Sequence, residues 1–345
     1  MTHRPDNRTA DRRTRRQGSS LAFSRRVLAE TAYARHVLLL VMLCGTGLAG
    51  CGESDHLVTN AAPPTPEARS ERVWVDATRP TARNGNYPGA PDRTVRTLIW
   101  QPATAGPLPL LVMAHGFSGL PEQFEGMGPA IADGGFVVAA LAFPLTNYNA
   151  PGGYSHALQD VANQPADVSF VISKLLEANA APGDPLYGRI AAGEIAVLGT
   201  SLGGATTIAL TRKDCCRDTR VRAAILVAAA PLDLFPTLFG TDSIVDGPPT
   251  LLLNGTLDEA VNYATSQAMY ALFDPPKVLV LITGADHNNA IEAKSLPLTS
   301  LQLVTKRSVV AFLNAMFRGA SADLQTTLDT LAAEGNPTQS EGTLP

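Results

Sequence analysis

The sequence predicts an α/β fold, a mostly parallel central sheet with helices on both faces. Three observations predict it. Short apolar runs bounded by Gly and Pro alternate with segments whose apolar residues recur at helical spacing. Two runs, 108–114 and 136–143, are apolar almost throughout, as in strands covered on both sides. Each motif with chemistry in it follows the end of such a run, where open α/β sheets bind ligands.

Residues 72–77 place Val73 and Val75 on one face and read as the first strand. A second strand covers 95–100, after a loop marked by Asn84-Gly85 and Pro88-Gly89. The third, 108–114, runs into His115-Gly116-Phe117-Ser118-Gly119. A helix over 122–132 is stopped by Gly134-Gly135, and the strand 136–143 follows. After a loop over 144–164, Pro165 suits the first turn of a helix that repeats Val168, Val171, Ile172, Leu175 and Leu176. Further strands read at 195–198, 221–228, 250–253 and 278–282, with helices at 204–211, 260–272 and 301–317. The closing helix has Leu301, Val309, Phe312, Leu313 and Met316 for its buried side. From Arg318 onward the chain turns polar and small, with room for a helix over 323–333 and last residues expected to be disordered.

The chain has 345 residues, 45% of them hydrophobic, and a net charge of −4. This fits one large domain with tails, and the body has no basic stripe to argue for nucleic acid. Basic residues are bunched early, at Arg12, Arg13, Arg15, Arg16, Arg25, Arg26 and Arg35. The apolar stretch 37–43 follows, too short to span a bilayer and shaped like a secretory signal. It ends in Leu48-Ala49-Gly50-Cys51, which resembles a bacterial lipobox. That resemblance implies lipidation of Cys51 and an exported protein anchored at the cell envelope. The alternative is a conventional signal peptide with an incidental Cys. Ser24-Arg25-Arg26-Val27-Leu28 faintly resembles a twin-arginine export signal. The expected organisation is a signal peptide over 1–50, a Pro-rich tether over 51–70, an α/β domain over 71–318 and a polar tail over 319–345. Cys215 and Cys216 are adjacent, so they stay as thiols or pair with each other, and no metal-ligand spacing involves them.

The richest stretch is Gly199-Thr200-Ser201-Leu202-Gly203, between an apolar run and a helix. Strand, sharp turn on Ser, then helix is the context in which G-x-S-x-G holds a nucleophile clear of the sheet. The bland reading is a Gly-rich turn with an ordinary Ser. A serine nucleophile needs a base, an acid to orient it and donors for the oxyanion. In such folds they follow in the order Ser, acid, His. After the run at 250 comes Asn254-Gly255-Thr256-Leu257-Asp258, and after the next comes Gly284-Ala285-Asp286-His287. His287 is the expected base and Asp258 the acid, with Asp233 and Asp286 as rivals. The oxyanion donors are the backbone N–H groups of Leu202, next to the nucleophile, and Phe117, after the third strand. His115 is expected to be a structural loop residue. Tyr148, Tyr154, Phe235 and Tyr263 are candidates for lining a pocket.

These motifs, from about Arg93 to Phe317, resemble the α/β-hydrolase superfamily. Within it they resemble the dienelactone-hydrolase-like and platelet-activating-factor-acetylhydrolase-like branch, near bacterial cutinases. Pro165-Ala166-Asp167-Val168-Ser169-Phe170 adds to the likeness. The resemblance implies a carboxylic-ester hydrolase that needs no metal or cofactor, acting on a small-molecule or lipid ester. Dienelactone hydrolases proper use Cys where this chain has Ser201. Aromatic-polyester hydrolases carry a Trp after the strand ending here at Ala230-Pro231, where this chain has Leu232-Asp233-Leu234. Only about 20 residues separate Pro231 from Thr250, so no large lid domain is expected there, and the 144–164 loop is the expected roof. The competing readings are a non-catalytic envelope binding lipoprotein of the same fold and an amide-cleaving serine hydrolase.

Overall fold

A computed structural model describes residues 68–344, apart from 155–157, 240–243 and 245. The expected signal peptide, the lipidation site Cys51 and the tether up to residue 67 lie outside the described residues.

The strands are β1 Ala68–Asp76, β2 Arg93–Gln101, β3 Leu108–Ala114, β4 Val137–Ala142, β5 Ile190–Thr200, β6 Val221–Val227, β7 Thr250–Gly255, β8 Lys277–Ile282 and β9 Thr338–Glu341. The helices are α1 Met127–Ala132, α2 Gln164–Ala180, α3 Leu202–Arg212, the single turn α4 Pro236–Phe239, α5 Tyr263–Leu272, α6 Ser300–Arg318 and α7 Ser321–Ala333. One nine-stranded sheet runs β1-β2-β4-β3-β5-β6-β7-β8-β9. The six strands β4, β3, β5, β6, β7 and β8 are mutually parallel, and β1, β2 and β9 pair antiparallel at the edges.

Alternation along the strands explains the two covered faces. Leu111 and Met113 point to one side, with Leu198, Ile225, Leu253 and Val280, against α1, α6 and α7. Leu110 and Val112 point to the other, with Ile195 and Val197, against Val168, Val171, Ile172 and Leu175 of α2. Farther along that second face, α3 and α5 cover Leu226, Leu252 and Leu279 through Ile208 and Met269. Among the described residues no helix is long and apolar enough to cross a membrane.

Three expectations need correction. The first strand begins at Ala68, inside the segment read as tether, because β1 pairs along the whole of β2 from Ala68↔Gln101 to Asp76↔Arg93. Val73 and Val75 do share a face, but it is the solvent face, and Trp74 packs inward. The helix over 122–132 is broken into a 3-10 turn, Pro121–Phe124, and α1. Between them the Gly126 N–H donates to the Ala293 carbonyl, and Ala293 crowds the space a Cβ would need. Finally, the segment 319–345 holds the expected helix as α7, but its last residues, expected to be disordered, include strand β9. Leu324, Leu328 and Leu331 of α7 lie at helical spacing and are buried in the first core. Strand β9 extends the sheet from β8, and the Glu341 carboxylate meets Lys277 Nζ at 3.0 Å.

Candidate active site

Strand order reverses at β3. The chain passes from β3 to β4 on one side, then crosses to β5 on the other. Such a reversal opens a crevice at the carboxyl ends of the two flanking strands, where ligands of open α/β sheets bind. Here the loops leaving β3 and β5 carry His115-Gly116-Phe117 and Ser201.

Ser201 sits between β5 and α3 with φ 50° and ψ −117°. This is a conformation that L residues rarely adopt, and it costs about 1–3 kcal/mol. Neighbouring chain enforces it. The Ser201 N–H donates to the Val227 carbonyl at 3.0 Å, and the Ser201 carbonyl accepts from Ala230 N–H and Gly204 N–H at 2.9 Å each. Close approach demands glycine on both sides of the crevice. A Cβ on Gly203 would strike the His115 carbonyl at 2.6 Å, and one on Gly116 would lie 3.1 Å from the Ser201 Cβ. The loop after β3 and the turn at Ser201 are therefore in contact.

Asp258 and His287 stand at the ends of β7 and β8. His287 Nδ1 lies 2.9 Å from Asp258 Oδ2. The aspartate side chain is fully buried and the imidazole is 17% exposed. A carboxylate only accepts, so the proton sits on Nδ1 and Nε2 keeps its lone pair, as a base requires. Asp258 Oδ1 accepts the N–H groups of Ala260 and Val261 at 2.9 and 2.8 Å, which fixes the carboxylate plane. The two loops are also tied together: Leu257 N–H donates to the Ala285 carbonyl at 2.9 Å, and Gly284 N–H to the Thr256 hydroxyl at 3.0 Å. Of the rival acids, Asp286 is spent folding its own turn, accepting from Asn288 and Asn289 N–H, and Asp233 is exposed beyond β6. The Ser201 hydroxyl makes no hydrogen bond among the described residues, so the structure joins the acid to the base and shows no bond from that pair to the serine. Such contacts are often loose before substrate is bound.

The N–H groups of Phe117 and Leu202 donate to no protein acceptor among the described residues. Leu202 opens α3, where free N–H groups and the helix dipole favour negative charge. The Phe117 loop is held from behind by His115, which is fully buried. Its Nδ1–H donates to the Gly116 carbonyl at 2.6 Å, and its Nε2 accepts the Phe143 N–H at 3.1 Å. Burial pushes its pKa down to about 4, against smaller opposing effects of the Gly116 hydrogen bond and Glu122. Both nitrogens are engaged, so His115 serves the loop rather than the reaction. From the front, Ser118 N–H donates to the Thr146 carbonyl at 2.9 Å. Thr146 in turn accepts from Gln164 at 2.7 Å, and Gln164 accepts from Thr206 of α3.

Several residues here were missed by sequence reasoning. Asn254, at the end of β7, donates from Nδ2 to Asp258 Oδ2 at 3.3 Å and to the Val261 carbonyl at 3.1 Å, while Ser266 donates to its Oδ1 at 2.8 Å. A polar residue closing an apolar strand was the available signal. Buried Arg93 holds Asp160 and Asp167 in paired hydrogen bonds of 2.6–2.9 Å, anchoring the 144–164 loop and the start of α2. Burial works against its charge, and its hydrogen bonds to Asp167 and Asp160 more than offset that, raising its pKa above the ordinary guanidinium value. The pocket candidates divide. Phe235 packs beside Leu202 and partly buried Phe117, whereas Tyr263 packs against the sheet-side cluster of Leu226 and Leu252. Cys215 and Cys216 are joined by a disulfide, and Cys216 packs against the cluster around Leu202. Among the described residues no group of three or more His, Cys, Asp or Glu is placed to hold a metal ion.

No protein-family model matches the chain, and no curated protein does so significantly.

Proposed function

We propose that the chain is a serine carboxylic-ester hydrolase of the α/β-hydrolase fold, working through an acyl-enzyme on Ser201. The observation that carries this reading is the 2.9 Å bond from His287 Nδ1 to buried Asp258, on loops at the same sheet edge as a strained serine at a helix start. A binding protein gains nothing from a carboxylate desolvated against one imidazole nitrogen, whereas a general base gains its tautomer and its orientation.

The steps follow from the groups in place. His287 Nε2 takes the Ser201 proton as Oγ attacks the ester carbonyl. The oxyanion that forms is met by the N–H groups of Phe117 and Leu202. As the tetrahedral intermediate collapses, the imidazolium returns its proton to the leaving alcohol, and the acyl group stays on Oγ. Water, deprotonated by the same imidazole, then attacks the acyl-enzyme, which releases the acid and restores the serine hydroxyl. Asp258 stabilises the imidazolium in both halves without itself taking the proton. The apolar residues beside Leu202 and Phe117, namely Phe235, Leu232 and Leu234, suit the acyl chain. Only the short turns 232–234 and α4 are described between β6 and β7, in keeping with an open cleft rather than a large lid. We place the enzyme outside the cytoplasm, held to the envelope by lipid on Cys51, with a small-molecule or lipid ester as substrate.

Hydrolysis of p-nitrophenyl butyrate tests the reading. Ser201→Ala is expected to lower kcat by about 10⁶-fold and Asp258→Asn by about 10⁴-fold, through the wrong tautomer. Full activity in folded Ser201→Ala protein would overturn it.

A further inference from the structure

We propose that Phe117, Tyr154 and Tyr148 form a stacking platform for an aryl group of the substrate, an inference that rests on the esterase reading above. The three rings form one contact series that begins at the Phe117 loop. Phe117, whose N–H is the expected oxyanion donor, meets Tyr154 edge to face, with centroids 5.4 Å apart and planes at 78°. Tyr154 stacks on Tyr148 at 5.8 Å and 27°. Tyr148 is 64% exposed, so one end of the series opens to solvent. Both spacings lie within the range in which aromatic rings attract one another, and such a series accepts a further flat ring by the same offset or edge contacts.

The loop that carries the tyrosines is braced far more than an ordinary surface loop. Buried Asn147 donates to the Phe143 carbonyl at 2.6 Å and accepts the Asn149 N–H at 2.8 Å. Asn84 reaches across from the β1–β2 connection and donates to the carbonyls of Pro151 and Gly153 at 2.6 and 2.9 Å. The bond from Ser118 N–H to the Thr146 carbonyl ties the same loop to the oxyanion segment. Rings on a braced loop, Tyr148 exposed and Tyr154 half-buried, are preorganised, so little ordering cost is left for binding. That favours a rigid flat group over a flexible alkyl chain, which loses rotamer freedom when it is held. The two tryptophans, Trp74 and Trp100, lie in β1 and β2, so the rings of this series are phenylalanine and tyrosine.

The test compares ethyl butyrate, phenyl butyrate and ethyl benzoate, with Tyr148→Leu and Tyr154→Leu each keeping apolar bulk without a ring. The expected result is a fall of about 3- to 10-fold in kcat/KM for an aryl ester relative to ethyl butyrate, carried by KM rather than kcat. A fall for phenyl butyrate puts the ring on the alcohol side, and one for ethyl benzoate puts it on the acyl side. Either supports the platform. Aryl-to-alkyl ratios that stay at the wild-type value in both variants overturn the platform alone. If the wild type hydrolyses none of the three in a Ser201-dependent way, the esterase reading falls and takes the platform with it.

Discussion

Acid should unlock the oxyanion loop through His115. Folding lowers the pKa of this buried imidazole from 6.5 to about 4. Between those values the unfolded chain binds a proton that the native state refuses. The stabilisation is therefore fully present above about pH 6.5 and is lost as pH falls toward 4. At about 1.4 kcal/mol per pH unit the loss comes to about 3 kcal/mol, a large share of a typical domain's stability. The physical cause is local. A second proton would have to go on Nε2, which already faces the Phe143 N–H in a site without water-exposed surface. Urea denaturation of wild type and His115→Asn between pH 7.5 and 4 isolates the effect, because the carboxylates titrate in both proteins and cancel in the difference. At pH 7.5 the wild type should be the more stable, by about 1–3 kcal/mol for the orphaned Phe143 N–H alone. That gap should narrow by about 3 kcal/mol at pH 4. A gap that stays constant with pH would refute the reasoning.

The other predictions concern strain and buried charge. Ser201→Gly should abolish activity yet stabilise the fold by about 1 kcal/mol in urea titration, since relief of the φ 50° conformation exceeds the extra entropy of a glycine in the unfolded chain. Marked destabilisation by that change would mean the turn is not strained. Arg93→Met should cost about 3–5 kcal/mol, because Asp160 would be left buried without its cation and Asp167 with Arg79 alone. A variant with wild-type stability would show that the network contributes nothing.

The parts of this molecule that the sequence exposed are those whose signal is local. Runs such as 108–114 and 250–253 are apolar because both faces of their strands are covered, and each ends in the motif that the strand delivers to the crevice. Asp258 is the preferred acid because it follows the strand just before the one that leads to His287, and Asp286 is disfavoured because a sequence neighbour rarely reaches round to Nδ1; the structure bonds Asp258 to His287. What escaped notice depends on partners distant in sequence. Arg93 meets Asp160 and Asp167 across more than sixty residues. Strand β9 reads Thr-Gln-Ser-Glu, and backbone pairing to β8 holds it with no apolar pattern to announce it. Whether Val73 or Trp74 faced the core could not be read from alternation alone, because alternation gives two faces without saying which is wet. The break at Gly126 comes from the chain around Ala293, which helical periodicity over 122–132 does not contain.

The central claim is that Ser201 is an activated nucleophile served by His287 and Asp258. Mass-spectrometric mapping of a fluorophosphonate probe on the full chain tests it most directly. The account predicts a covalent adduct on Ser201 that forms quickly at neutral pH, slows sharply in Asp258→Asn and is absent in Ser201→Ala. A folded wild-type protein that stays unlabelled, or that labels elsewhere while Ser201 is spared, would contradict it.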